Sequence, residues 1–317
     1  MRALIIDRVS PVIAKRLKEY GVEVDTVILP SREELKRMLP DYDLLVMRVD
    51  PKMDREMLDA AAGRVRMIAV CSAGTNHIDL EYAKQLGIVV QNAPGQNANA
   101  VAELTISKML DLSRMTVPAN EEVQKHGIWN KYKYTGHELR GHVLGIIGFG
   151  MIGKRVGQLA QAFGMKVLAY DPYLTAETCE AHGAVWIPVL DDLLKQADYI
   201  SVHCPMTDET RGLLSEREFG LMKPNAIVIN CARGGILDEN AAAQALRAGK
   251  IGGIGLDVLS GELAGKGLHD NACLSSPLFG MENVLITPHI GGSAHEAYDA
   301  IGDYVVEKAA EYYSLNR

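Results

Sequence analysis

The amino-acid sequence predicts an α/β protein built from two open, parallel-sheet domains. Three observations carry that expectation. Short apolar runs alternate with amphipathic stretches, the pattern of parallel strands joined by helical crossovers. At 317 residues the chain is too long for one ordinary core. A glycine-rich turn that opens a helix directly after an apolar strand arrives only once five strand-like runs have passed.

Those five runs lie at 2–6, 22–28, 43–47, 66–70 and 88–90, with helical patterns between them, and make one α/β unit. A break follows at 92–97, Asn-Ala-Pro-Gly-Gln-Asn, where Pro-Gly and the amide residues favour a turn. A long helical pattern covers 98–115, with Val101, Leu104, Ile106, Met109, Leu110 and Leu112 forming its apolar face. Six further strands, at 143–147, 166–170, 199–203, 226–230, 251–256 and 284–287, alternate with helices and suit a second, doubly wound sheet. The closing stretch 293–316 is helical in pattern and is expected to return to the first unit. The expected division is therefore 1–97 plus 290–317 for one domain and 98–289 for the other, with two chain crossings as a hinge.

The glycine-rich turn reads Val143-Leu144-Gly145-Ile146-Ile147-Gly148-Phe149-Gly150-Met151-Ile152-Gly153, a strand running into G-x-G-x-x-G and then into a helical pattern through Phe163. Gly148 permits the tight turn, Gly150 lets backbone approach a pyrophosphate, and Gly153 allows helix to pack closely on strand. The unpaired N–H groups of Met151 and Ile152 would then face the phosphates, where the helix dipole favours negative charge. The strand at 166–170 leads to Asp171, placed where an acidic residue holds a ribose 2′-hydroxyl. Its carboxylate would repel a 2′-phosphate, and no Arg occurs in Pro172-Tyr173-Leu174, so a Rossmann domain that takes NAD in preference to NADP is expected.

Composition narrows the function classes. With 48% hydrophobic residues, 23% charged residues and a net charge of −7, the chain is expected to be globular and soluble. No Lys/Arg cluster offers a nucleic-acid footprint, and no apolar stretch approaches a membrane span. Met1 to Asp7 is expected to open a strand, since Asp7 interrupts any signal-peptide core. The cysteines Cys71, Cys179, Cys204, Cys231 and Cys273 are odd in number, scattered and never in a C-x-x-C pair. A disulfide framework or a metal site is therefore not expected, and a reducing cytoplasm is.

Downstream of the fingerprint, Arg233, Glu262 and His289 supply an anion clamp, a carboxylate and an imidazole. Reducing a 2-keto acid delivers hydride to the carbonyl carbon, so charge grows on the oxygen and must be met by a proton. A histidine near neutral pKa can give that proton, and take it back from the hydroxyl in the reverse direction. Glu262, by analogy with a histidine–carboxylate dyad, would orient the His289 ring and favour its protonated form. Arg233 offers a permanently charged planar fork for the substrate carboxylate, and Gly234 and Gly235 leave room for a close approach.

The chain resembles the D-isomer-specific 2-hydroxyacid dehydrogenase family over essentially its whole length. The matching segments are 71–79 (Cys-Ser-Ala-Gly-Thr-Asn-His-Ile-Asp), 92–97 with Val101-Ala102-Glu103, the fingerprint, and His203-Cys204-Pro205-Met206-Thr207. They continue with Asn230-Cys231-Ala232-Arg233-Gly234-Gly235, Leu256-Asp257-Val258 and Thr287-Pro288-His289-Ile290-Gly291-Gly292. The resemblance implies a flavodoxin-like substrate domain, an inserted Rossmann NAD-binding domain, a cleft where NAD and a small 2-hydroxy or 2-keto acid meet, and a homodimer. It also implies that the N–H groups of Ser72, Ala73 and Gly74 grip the substrate carboxylate and that Asp257 binds the nicotinamide amide. Cys204, Pro205, Cys231, Ala232, Arg233, His289 and Gly291 are implied to line the cofactor.

Within that family, Arg48 matches a position that contacts substrate in phosphoglycerate dehydrogenases, and Gly127 to Tyr132 is similar to the same subgroup. Arg48 and Lys131 could meet a phosphate, which makes D-3-phosphoglycerate the leading substrate and glycerate, hydroxypyruvate or glyoxylate the rivals. A phosphoglycerate enzyme of this length would be a short form without a C-terminal regulatory domain. One departure concerns Glu262, which Leu263 follows where family members often carry proline, so that loop lacks a backbone restraint. Formate dehydrogenases share the fold but have no hydroxyl proton for a His–Glu pair to move. From another class, NAD-sensing corepressors keep the same three residues, and turnover of NADH with keto acids separates them from an enzyme.

Overall fold

The computed structural model describes residues 1–261 and 275–316. Its chain forms two compact units, Met1–Asn97 with Gly292–Arg317, and Ala98–Gly291. In the first, β1 (Arg2–Ile5), α1 (Pro11–Glu19), β2 (Glu23–Thr26), α2 (Arg32–Met38), β3 (Leu44–Met47), α3 (Arg55–Ala61), β4 (Met67–Val70), α4 (Leu80–Gln85) and β5 (Val89–Asn92) alternate. The strands pair in the order β2-β1-β3-β4-β5, all parallel, which is the flavodoxin-like order. Every residue of β3 and β4 is buried, as strands covered by helices on both faces require, and polar or half-exposed residues fall to the edge strands β2 and β5. The helices begin where the sequence offers side-chain acceptors: Ser10 before Pro11, the Ser31–Glu34 capping box, Asp54 and Asp79.

The second unit opens with α5 (Ala98–Arg114) and α6 (Thr116–His126), separated by Met115 in a left-handed conformation (φ 52°) that ends the expected helix one residue early. The buried face of α5 also differs from the expected one. Val101, Ile106 and Met109 are buried as anticipated, but Ala102, Thr105, Lys108 and Ser113 accompany them, while Leu104, Leu110 and Leu112 are only half-buried. The hydroxyls make this possible by bonding backward along the helix, Thr105 to the Val101 carbonyl and Ser113 to that of Met109.

The chain continues through β6 (Val143–Ile147), α7 (Met151–Ala162), β7 (Lys166–Tyr170), α8 (Ala176–Glu180), β8 (Val185–Trp186), α9 (Leu190–Gln196), β9 (Tyr199–Val202), α10 (Glu216–Leu221), β10 (Ile227–Asn230), α11 (Glu239–Arg247), β11 (Gly253–Leu256) and β12 (Val284–Ile286). These seven parallel strands lie in the order β12-β11-β10-β9-β6-β7-β8. From β8 inward this is the Rossmann order 3-2-1-4-5-6, with β12 added beyond it. Strand β8, two residues long, is too short to show any period in sequence.

Helix α12 (His295–Tyr313) then belongs to the first unit. Its Ile301, Val305, Val306 and Ala309 share a core cluster with Ile13 and Leu17 of α1 and with β1, each large apolar side chain contributing roughly 1.5–3 kcal/mol by leaving water. Polar contacts fix its register: Ser10 Oγ donates to Asp299, Arg16 pairs with Asp303, and Tyr313 Oη donates to the Asp43 carbonyl at 2.6 Å.

Candidate active site

In the second unit the order of the sheet reverses between β6 and β9, and the crevice at such a point is where doubly wound sheets take ligands. The fingerprint lies there. Gly148 has φ 89°, and a Cβ on it would stand 2.5 Å from the Cys204 amide nitrogen, so the loop after β9 closes on the turn only because no side chain intervenes. A Cβ on Gly153 would meet the Gly148 carbonyl oxygen at 2.3 Å, which is the tight helix-on-turn packing expected there. At Gly150, the N-cap of α7, a Cβ would meet nothing within 4 Å, and no side chain caps the helix. An open, uncapped N-terminus that presents Met151 and Ile152 fits a phosphate.

Asp171 follows β7 and is bound into this turn: Oδ2 accepts from the Phe149 amide at 2.9 Å and Oδ1 from the Tyr173 amide at 3.0 Å. The carboxylate is thereby fixed in direction, with lone pairs left for a further donor. Beyond β9, the Pro205 carbonyl accepts from Thr210 Oγ1 at 2.7 Å, which holds the segment after Cys204. His203 is half-buried with its ring against Ser201 Oγ at 2.7 Å, and desolvation of the ring pushes its imidazole down to about 3, so it stays neutral. Burial also raises the thiols, Cys204 to about 11 and Cys231 to about 12, which suits inert packing residues and not nucleophiles.

Arg233 sits three residues beyond β10, on a turn fastened by Asn230 at the strand's last position. Asn230, 1% exposed, accepts from the Ala232 amide at 3.0 Å and donates to the Arg233 carbonyl at 2.9 Å. The same turn packs on the chain after β11, since a Cβ on Gly234 would stand 2.1 Å from the Leu259 carbonyl oxygen. Arg233 Nη1 donates to the Ala232 carbonyl at 2.7 Å, and among the described residues no other hydrogen bond engages its fork.

Asp257, directly after β11, is 1% exposed and organises the segment after β12. Its Oδ1 accepts from Thr287 Oγ1 at 2.6 Å and from the Ile290 amide at 2.9 Å, and its Oδ2 accepts from the Gly291 amide at 2.7 Å. His289 lies inside this loop, exposed, with φ 53° and with its amide donating to the Asp257 and Thr287 carbonyls. A non-glycine residue held in the left-handed region is uncommon, and here the buried carboxylate imposes it. Arg233, Asp257 and His289 therefore leave the C-terminal ends of three adjacent strands, β10, β11 and β12. Glu262 lies outside the described residues.

The first unit carries the other expected substrate residues. Ser72, Ala73 and Gly74 form a turn after β4, tied by Ser72 Oγ to the Gly74 carbonyl at 2.9 Å and by Asn92 Nδ2 to the Ala73 carbonyl at 2.6 Å. Arg48 follows β3, at the reversal of that sheet between β1 and β3, and packs on Tyr298 of α12.

Sequence reasoning did not single out Asn230 or Thr287, although both stand in segments it quoted. The signal at Asn230 was an asparagine at a strand end two residues before the amide it accepts from, which is an Asx turn. Among the described residues, no group of three or more His, Cys, Asp or Glu side chains could hold a metal ion.

The model of the D-isomer specific 2-hydroxyacid dehydrogenase family, NAD binding domain, matches residues 106–291. The chain belongs to this family. Over 308 residues it is 38% identical to the D-3-phosphoglycerate dehydrogenase of Methanocaldococcus jannaschii, covering 97% of this chain and 56% of that one. Against the enzyme of the same name from Mycobacterium tuberculosis the identity is 37% over 304 residues, 96% of this chain and 55% of the other. The chain spans about half the length of the curated relatives it matches. A crystal structure of a Thermus thermophilus protein aligns with a TM-score of 0.87 at 32% identity, covering 100% of this chain and 98% of that one. The D-lactate dehydrogenase of Aquifex aeolicus, solved with NAD and lactic acid, aligns at 0.82 and 30% identity, covering 99% and 96%. Arg233, Asp257, His289 and the fingerprint all lie within the stretch matched to the dehydrogenase family, whereas Arg48 and Ser72 to Gly74 precede it.

Proposed function

We propose that this chain is an NAD-dependent D-2-hydroxyacid dehydrogenase that interconverts a 2-hydroxy acid and its 2-keto acid, with D-3-phosphoglycerate as the leading substrate. The observation that carries the reading is the placement of Arg233 and His289 at the ends of neighbouring parallel strands, in a domain whose uncapped α7 N-terminus fits a pyrophosphate. Bound NAD supplies a two-electron acceptor or donor at its nicotinamide. Arg233 holds the substrate carboxylate through its planar fork and polarises the adjacent oxygen. His289 accepts the hydroxyl proton in oxidation and returns it in reduction, with Glu262 as its carboxylate partner. Asp257 keeps the His289 backbone in place and Asn230 does the same for Arg233. Asp171 receives the ribose hydroxyls, and in the first unit the Ser72 to Gly74 amides and Arg48 are read as substrate contacts.

The D-3-phosphoglycerate assignment draws on the names of the relatives and on Arg48; hydroxypyruvate and glyoxylate are the alternatives. We read the protein as a cytoplasmic homodimer. Free, buried thiols at Cys71, Cys179 and Cys231 suit a reducing compartment, and among the described residues no helix is long and apolar enough to cross a membrane. For the dimer, α6 has no buried residue, and Trp129 and Tyr132 beyond it are 86% and 81% exposed, a concentration of aromatic surface that suits a second copy of the chain.

Specificity constants for NADH-dependent reduction of 3-phosphohydroxypyruvate, hydroxypyruvate, glyoxylate and pyruvate test the reading. NADH binding with no turnover of any of them would favour an NAD-sensing protein instead. His289→Ala is expected to cut kcat roughly 100-fold or more while NADH still binds, and an unchanged rate would remove His289 from the mechanism.

A further inference from the structure

Arg48 is held by more contacts than its own turn provides. Its amide donates to Asp7 Oδ2 at 3.2 Å. The His77 ring lies near its backbone, and burial holds that imidazole below the ordinary range. The guanidinium lies over the Tyr298 ring, 4.9 Å from its centroid, and Nη1 donates to Tyr298 Oη at 3.3 Å. Tyr298 stands in the first turn of α12, one residue before Asp299, whose carboxylate accepts from Ser10.

These contacts select which part of the guanidinium remains for a ligand. Stacking covers one face and Tyr298 occupies Nη1. Nε is buried with no partner, and no described residue bonds Nη2. The Nε/Nη2 edge is thus left as two parallel donors, the arrangement that meets an oxyanion bidentately.

We propose that Tyr298 is a positioning residue that sets substrate specificity: it aims the Nε/Nη2 edge of Arg48 at an anionic group on the substrate. The inference rests on the reading of Arg48 as a substrate contact. A phosphate or carboxylate tail satisfies both donors of the edge, whereas a neutral hydroxyl tail satisfies one, so holding the edge in place widens the gap between the two kinds of substrate.

The test is the ratio of kcat/KM for 3-phosphohydroxypyruvate to that for hydroxypyruvate, measured in the wild type and in Arg48→Met, Tyr298→Leu and Tyr298→Phe. Because both substrates meet the same preparation, loss of folded protein cancels in the ratio. Arg48→Met should flatten the preference. Tyr298→Leu should reduce it about tenfold, equivalent to about 1.4 kcal/mol, through KM with kcat largely kept. Tyr298→Phe, which retains the ring under the guanidinium, should fall between Tyr298→Leu and the wild type. A wild-type enzyme without a preference, or an Arg48→Met ratio equal to the wild type, sinks the substrate reading of Arg48 and the proposal with it. A flattened ratio in Arg48→Met beside an unaltered one in Tyr298→Leu overturns the role of Tyr298 alone.

Discussion

The two units fasten the turns after their strands by different means. In the second, side chains buried at strand ends reach forward and bind the next loop: Asn230 takes the 232–233 turn from both sides, and Asp257 gathers three donors from the chain after β12. In the first, the 72–74 turn is held by a hydroxyl within the turn and an amide on the neighbouring strand, both only partly buried. A buried tie is stiff and costly to lose, because its former partners stay out of reach of water. A half-exposed tie can be replaced by solvent. Residues assigned to proton transfer and charge clamping sit on the stiff kind, and backbone amides assigned to a carboxylate sit on the lenient kind.

Substitutions can break or sharpen this contrast. Asp257→Ala should have the largest effect, since it strands the buried Gly291 amide and frees the part-buried Thr287 hydroxyl and Ile290 amide; a loss of roughly 3 kcal/mol or more is expected in urea denaturation, with turnover nearly abolished. Asn230→Ala removes two bonds and should cost about 2 kcal/mol, with KM for the keto acid rising more than that for NADH. If both variants melt like the wild type, the buried ties are not what holds the loops.

Lys108 tests the same unit from the opposite side. It is 1% exposed on α5, its Nζ has no partner, and Cys231, Asp257 and Asp111 are the ionisable groups that act on it. Burial lowers its pKa from the ordinary 10.5, so the unfolded chain takes up a proton that the native chain refuses. Native stability is therefore lost as pH falls below 10.5 toward the folded value. Lys108→Met should stabilise by roughly 1–3 kcal/mol near neutrality, and by less above pH 10.5. An equal gain at both pH values would show that the charge is not the cause. Ser72→Ala in the first unit should have the smallest effect, within about 1 kcal/mol, because water can replace the lost bond.

Much of the architecture was legible in the sequence because parallel strands covered on both faces must be continuous apolar runs, as in β3, β4 and β9. What escaped has physical reasons. Two residues of β8 carry no period, and α6 has no apolar face because none of its residues is buried. The burial of Lys108 contradicts the habit of its residue type and could not be anticipated. In the site, the motif positions around Gly148, Arg233 and His289 were visible because turns, strands and spacing are local. Their supports were less so: Asp257 meets residues 30 to 34 positions away, and Tyr298 meets Arg48 across 250. The order of the motifs pointed to the groups assigned to a ligand, while the groups that hold those still emerged only from the three-dimensional packing.

Helix α12 has a consequence for biogenesis. As the chain is synthesised, most of the first unit emerges before the second, yet Ile301, Val305 and Val306, which cover α1 and β1, are made only after the second unit. Until then Ile13 and Leu17 lack their cover, so the first unit, begun before the second, is completed after it. Removing the final two turns of α12 should accordingly expose an apolar surface on α1 and β1, far along the chain from the cut.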